Sequence, residues 1–186
     1  GVVPGTPVVA GAGDQQAGAL GIGAVEPGIV VSTIGTGGQL FTTARKLVDP
    51  GEGRVHVFRQ CLPDSWHVMG AMQAAGLALR WFKEGVIDQL VDDEMSYERV
   101  SELASRAPVG SGNLLFLPYL TGERSPHLDP DARGCFIGFN LNHELPHLLR
   151  SIMEGVTFGM RDSMEILLAM GLPVDAIRCA GGGANS

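Results

Sequence analysis

The chain has 27 glycines in 186 residues, and what constrains its fold is where they gather. Three clusters, Gly11-Ala12-Gly13, Gly35-Thr36-Gly37-Gly38 and Gly181-Gly182-Gly183, each follow a short apolar run. Such a run predicts a buried strand, and the glycines a tight turn where positive φ or close backbone approach is needed. In the first cluster, Pro7-Val8-Val9-Ala10 predicts a strand, Ala17 to Gly23 a helix of small residues, and Asp14 the residue presented between them. A carboxylate held at a strand end suits a general base. It equally suits a cap on the following helix.

With 45% hydrophobic and 18% charged residues the composition is that of an ordinary globular domain. No apolar stretch approaches the roughly 18 to 20 uninterrupted residues of a membrane span, and no leader pattern opens the chain. A cytoplasmic location is therefore expected. Thirteen Lys and Arg against 20 Asp and Glu give a net charge of −7 with no basic stripe, which argues against a nucleic-acid partner. Acidity does not exclude a nucleotide, whose phosphates can be bound by backbone N–H groups at turns. Cys61, Cys135 and Cys179 are odd in number, far apart and without a CxxC pair. They are expected to be buried, reduced thiols.

Further along, Glu26-Pro27-Gly28 breaks the chain before Ile29 to Ile34, a strand that turns through Gly35-Thr36-Gly37-Gly38 into Gln39 to Thr43 as a hairpin. More glycines stand at that tip than a hairpin needs. Either a phosphate approaches the backbone there, helped by the Thr36 hydroxyl, or the turn is ordinary and Thr36 merely solvated. Residues 44–54 predict a surface loop, Val55 to Arg59 and Trp66 to Gly70 strands, and Ala71 to Phe82 a helix of small residues. Gly76 within that helix costs about 1 kcal/mol relative to Ala, which points to close approach. Residues 86–107 predict an exposed acidic helix ending before Pro108. Leu114 to Leu117 and Gly134 to Gly138 predict strands about a proline-rich loop from Pro118 to Pro130, long enough to suggest function or internal pinning.

The longest predicted helix runs from Glu144 to Met170, with apolar residues at helical spacing and Gly171 closing it. Gly155 and Gly159 make a smooth stripe on it for close packing. Val174 to Ala180 predicts a strand into the last glycine turn, where Asn185 and Ser186 are capping residues with no helix after them. These ends predict that the sequence is a piece of a longer protein. His143-Glu144-Leu145-Pro146-His147 fits the H-E-x-x-H pattern of zinc proteases, whose chemistry needs both imidazoles on one face of a formed helix. Pro146 instead marks the first turn of a helix, with Glu144 near its positive end.

Ala12-Gly13-Asp14-Gln15-Gln16-Ala17-Gly18, Ser32-Thr33-Ile34-Gly35-Thr36-Gly37-Gly38, the stretch Phe116 to His127, Glu154-Gly155-Val156 and Gly181-Gly182-Gly183-Ala184 stand in one order and spacing. Together they resemble the FGGY carbohydrate kinases, and the loop Pro118 to His127 resembles their xylulokinase branch. The resemblance implies an α/β chain of RNase H-like, actin-like ATPase fold, here incomplete, with a mixed sheet flanked by helices. It implies that residues 1–24 are the tail of an N-terminal sugar-binding domain carrying the catalytic Asp. Residues 25–186 would then be a C-terminal ATP-binding domain cut short at its end.

The same resemblance implies phosphorylation of a sugar by ATP with Mg2+, D-xylulose to its 5-phosphate being favoured. Asp14 is similar to the base that takes the sugar hydroxyl proton, and Gln15 to a neighbour that contacts the sugar. Gly35 and Thr36 resemble the turn that holds the transferred and β-phosphates. Gly76 and Arg80 resemble a pair near the nucleotide's base and ribose, Arg80 standing where relatives often carry Gln. Gly182, Gly183 and Asn185 resemble the adenine-side turn. Asp14 is the one acid with a candidate role toward the metal, and no dedicated set of metal ligands is implied. Homodimers are frequent in proteins of this type. The 186 residues alone are expected to be inactive. Rival readings are a kinase for ribulose, gluconate or glycerol, a non-catalytic nucleotide-binding module, and a zinc hydrolase.

Overall fold

A computed structural model describes residues 1–91 and 94–185. Seven strands and four α-helices follow one another as α1 (Asp14–Gly21), β1 (Gly28–Ile34), β2 (Gly38–Ala44), β3 (His56–Arg59), β4 (Trp66–Met72), α2 (Gly76–Phe82), α3 (Tyr97–Ser105), β5 (Leu115–Leu117), β6 (Cys135–Ile137), α4 (Leu145–Ala169) and β7 (Val174–Ala180). The main sheet has the order β3-β4-β2-β1-β7. Its β1, β2, β4 and β3 pair antiparallel, and β7 joins β1 in parallel. A mixed sheet is thereby formed, as the resemblance implied.

Side chains alternate across a strand, so neighbouring apolar residues serve opposite faces. Val30, Leu40, Val68 and Met72 join the larger core with Leu149, Ile152 and Val156 of α4. Val31 and Phe41 join Ala19 and Ala24 of the α1 region on the other face, with Met69 beside them. Each face of the sheet therefore has its own helix. The stripe on α4 works as predicted: Phe116 O lies against Gly155, where any Cβ would collide with it, and Met72 Cε lies 3.1 Å from the place of a Cβ at Gly159. The helix starts where expected, with Glu144 as N-cap and Pro146 in the first turn. Glu144 and His147 each accept the other's backbone N–H in a reciprocal cap. That cap occupies one imidazole, and His143 Nε2 sits 3.0 Å from Gly112 O. Gly171, at φ +74°, ends the helix.

Several expectations are corrected. Pro7-Val8-Val9-Ala10 forms no strand: it pairs with nothing among the described residues, and Val8 is 94% exposed. An apolar run is a strand only where a ladder receives it. The helix after it begins at Asp14, three residues early. The helix predicted from Ala71 begins at Gly76, because β4 stays paired to β2 through Met72. The small residues there serve contact rather than helix, since a Cβ on Gly70 would lie 2.7 Å from Ser163 Cβ. Within 86–107 only Tyr97–Ser105 is α-helical, and it buries Val100 and Ala104; residues 92 and 93 lie outside the described residues. A π-helical turn, Lys83–Ile87, precedes it. The three cysteines are free, but all are exposed rather than buried. Cys135 points outward from β6 because Phe136 takes the inward position, 4.6 Å from the Phe116 ring.

Candidate functional site

The β1–β2 hairpin tip and the start of α2 are built on each other. The Gly35 carbonyl accepts from Gly76 N at 2.9 Å, and the Thr36 carbonyl accepts from Ala75 N and Leu77 N, both at 3.0 Å. These bonds satisfy the amides that a helix start leaves orphaned. On its other side Gly37 is held close, since a Cβ there would stand 2.8 Å from Met72 O. The turn is thus fixed by its carbonyls. Its Thr36 and Gly37 amides and the Thr36 hydroxyl have no hydrogen-bond partner among the described residues. Exposed donors on a rigid turn are the equipment for binding an anion such as a phosphate.

This turn stands at one end of a cleft of about 900 Å³. Gly76 and Arg80 of α2, Tyr97, Glu98 and Ser101 of α3, and Ile152, Met153, Val156 and Thr157 of α4 line it, with Gly182 and Gly183 after β7. Its size and its apolar floor, combined with a few polar groups, are those of a small-molecule site. Gly183 packs so close to Ile34 that a Cβ would lie 2.5 Å from Ile34 Cγ2. A Cβ on Gly181, at φ +83°, would likewise lie 2.8 Å from Ile34 O. Glycine there lets the parallel pair β1 and β7 carry both turns to the same cleft. Arg80 is exposed at its wall. The Glu98 carboxyl is held below its ordinary value by its own backbone N–H and then by the Ser96 hydroxyl.

Of the residues singled out in the sequence, Gly35, Thr36, Gly76, Arg80, Gly182 and Gly183 meet at this cleft, although 147 positions separate Gly35 from Gly182. Asn185 closes a 3₁₀ turn, Gly182–Asn185; its side chain and all of Ser186 lie outside the described residues. Asp14 and Gln15 are not among the lining residues. Asp14 is exposed in the first turn of α1, where its Oδ1 accepts from Gln15 N at 2.8 Å, and Gly13 occupies the cap position. Tyr97, Glu98, Ser101, Met153 and Thr157 were missed. Their signal was faint: Ser96 caps α3 by accepting from Arg99 N, and that Ser-x-x-Arg start leaves Tyr97 and Glu98 in the first turn.

No group of three or more His, Cys, Asp or Glu among the described residues is placed to hold a cation. Mg2+ commonly keeps its waters and takes its protein ligands sparingly beside substrate phosphates. No helix of the described residues is long and apolar enough to cross a membrane.

Residues 30–186 match the model of the FGGY family of carbohydrate kinases, C-terminal domain. The chain is 36% identical to the xylulose kinase of Bacillus subtilis over 186 residues, all of this chain and 36% of that protein. It is 34% identical to the gluconokinase of the same organism over 193 aligned residues, all of this chain and 37% of that protein. The crystal structure of xylulose kinase from Rhodospirillum rubrum superposes with a TM-score of 0.86 at 30% identity, covering all of this chain and 36% of that one. The chain thus spans about a third of the length of the curated relatives it matches. Its fold is that of these kinases, the actin-like ATPase fold. With its glycine turns gathered at one cleft and these matches along its whole length, the chain belongs to the FGGY family of carbohydrate kinases.

Proposed function

We propose that this chain supplies the ATP-holding part of a sugar kinase whose favoured reaction converts D-xylulose to D-xylulose 5-phosphate. The observation that carries the reading is the convergence of the Gly35 turn, Gly76 and the Gly182-Gly183 turn on one cleft, with the Thr36 and Gly37 donors left free among the described residues. Residues 1–24 are the end of a sugar-binding domain, and residues 25–186 belong to the ATP-binding domain. That division is supported by the start of the C-terminal domain match at residue 30.

Phosphoryl transfer asks a protein to position the nucleophile and to stabilise charge spread over the phosphoryl oxygens. In this reading the turn of Gly35 and Thr36 presents the Thr36 and Gly37 amides and the Thr36 hydroxyl to the β- and transferred phosphates. Gly76 and Arg80 border the ribose and base, and Gly182, Gly183 and Asn185 close the adenine side. Asp14, with Gln15 beside it, faces the sugar and accepts the proton of the attacking hydroxyl. Magnesium, brought with ATP, supplies charge neutralisation on the phosphates, and Asp14 is the acid nearest in role to it. The 186 residues alone carry only part of such a machine and are inactive.

The sugar is the open variable. The 34% identity to a gluconokinase supports a second substrate class within the same reaction. The test is ADP release by the full-length protein that contains this sequence, given ATP, Mg2+ and a panel of D-xylulose, ribulose, gluconate and glycerol. Selective turnover of D-xylulose is expected. Selective turnover of gluconate moves the protein to the other substrate class, and nucleotide binding without turnover of any substrate makes it a non-catalytic module. Turnover by the 186-residue chain alone overturns the division of labour.

A further inference from the structure

Lys83 directly follows α2 and begins the π-helical turn, a geometry that recurs at functional positions. Its side chain is 1% exposed. The ammonium donates to Asp88 Oδ2 at 2.7 Å and to Glu94 Oε1 at 2.9 Å, and it lies 5.5 Å from the centre of the Tyr97 ring. The other oxygen of Asp88 accepts from Met95 N at 3.0 Å. One buried charge therefore gathers positions 88, 94, 95 and 97. The carboxylates hold the ammonium protonated, Asp88 contributing most and Glu94 next, against the opposing effect of burial.

A buried ammonium, here paired with a partly buried Asp88 and an exposed Glu94, is a costly way to fill space, since an apolar side chain of similar size removes its desolvation penalty. What the network does hold is a geometry. The chain before Lys83 brings Gly76 and Arg80 to the cleft, and the chain after Glu94 brings Tyr97, Glu98 and Ser101 to the same cleft. Lys83 is the point where the two walls are tied, through charge-assisted bonds that fix direction as well as distance.

We infer that Lys83 is a positioning residue for the nucleotide cleft: by gathering Asp88, Glu94 and Tyr97 it sets the α3 wall against the α2 wall. The inference rests on the nucleotide reading above. It does not involve the sugar or the transferred phosphoryl group.

The test uses the full-length protein with MgADP as the probe in calorimetry, steady-state kinetics with ATP and the sugar it turns over, and amide hydrogen exchange over residues 97–105. In Lys83→Met the Kd for MgADP and the KM for ATP are expected to rise about tenfold, a shift of about 1.4 kcal/mol. Exchange over 97–105 should quicken while kcat and the KM for the sugar stay within about twofold. Asp88→Asn keeps an acceptor for Met95 N and should show the same pattern about threefold in size; it decides the matter if Lys83→Met does not fold. Folded variants with wild-type MgADP affinity overturn the inference, as does a parallel loss in kcat and the sugar KM, the mark of general structural damage. If the wild-type protein binds no MgADP the nucleotide reading fails, and unchanged exchange over 97–105 separately refutes the tie between the walls.

Discussion

The Gly76 amide donates to the Gly35 carbonyl at 2.9 Å, and a Cβ on Gly76 would stand 2.5 Å from that same oxygen. Backbone is the obstacle, so a side chain at Gly76 cannot be accommodated by a rotamer change. Either α2 or the hairpin tip must move, at the cost of about 1 to 3 kcal/mol typical of overpacking. Gly76→Ala is expected to weaken MgADP binding about tenfold or more and to lower the melting temperature. Calorimetric titration of the folded variant checks it, and wild-type affinity would show that the turn and helix are not one unit.

Thr36 separates two roles that usually coincide. Its carbonyl holds Ala75 N and Leu77 N, while its hydroxyl has no partner among the described residues. Thr36→Ala therefore leaves the helix start intact and should change stability by no more than about 0.5 kcal/mol, as at other exposed positions. Turnover by the full-length protein should fall by about 100- to 1,000-fold, the loss of one hydrogen bond to developing charge. A large fall in melting temperature with unaltered turnover would return Thr36 to an ordinary turn residue.

Asp14 is exposed, and among the described residues its side chain bonds only the neighbouring Gln15 N. Asp14→Asn preserves shape and the local bond but cannot accept a proton. In the full-length protein it is expected to lower kcat by at least about 100-fold, within the span of general-base contributions, and to leave MgADP affinity within about twofold. Retention of most of the rate would make the first turn of α1 its whole role.

His67 gives the chain a pH dependence unrelated to the cleft. It is fully buried on β4 against Phe41, with a centroid distance of 4.6 Å, and neither ring nitrogen has a partner among the described residues. Burial lowers its pKa from 6.5 to about 4. On acidification the unfolded chain takes up this proton first. The stability it contributes is thus complete above pH about 6.5 and is lost progressively down to about 4, by up to about 3 kcal/mol. His67→Leu leaves no polar group to satisfy and is expected to be near neutral in stability at pH 7.5. It should lose less stability than wild type between pH 7 and 4.5 in denaturant titrations, and equal slopes would refute the assignment.

The parts of the fold legible in the sequence were those written in local pattern. The hairpin Gly28–Ala44 carries alternation and a glycine tip, and α4 carries 25 residues of helical period between a proline in its first turn and a closing glycine. Glycines at Gly37, Gly76 and Gly183 were legible because each answers a close backbone or side-chain approach that no other residue permits. Pro7 to Ala10 misled for the converse reason. Its apolar residues state a preference for burial, and no strand of the described residues receives them. Ala71 misled because small residues suit a helix and also suit a strand pressed against α4.

By itself the sequence determined the turns and the long helix, since steric demands on glycine and hydrophobic period act within a few residues, and the resemblance its motifs carry pointed to the family and to the six residues that meet at the cleft. Tertiary structure alone decided the rest: that β7 lies parallel to β1 and so delivers Gly182 and Gly183 beside Thr36, and that Lys83 gathers Asp88, Glu94 and Tyr97 behind the α3 wall. Such placements depend on contacts between distant segments. Their energy lies in burial and charge pairing across the fold, which no local run of residues records.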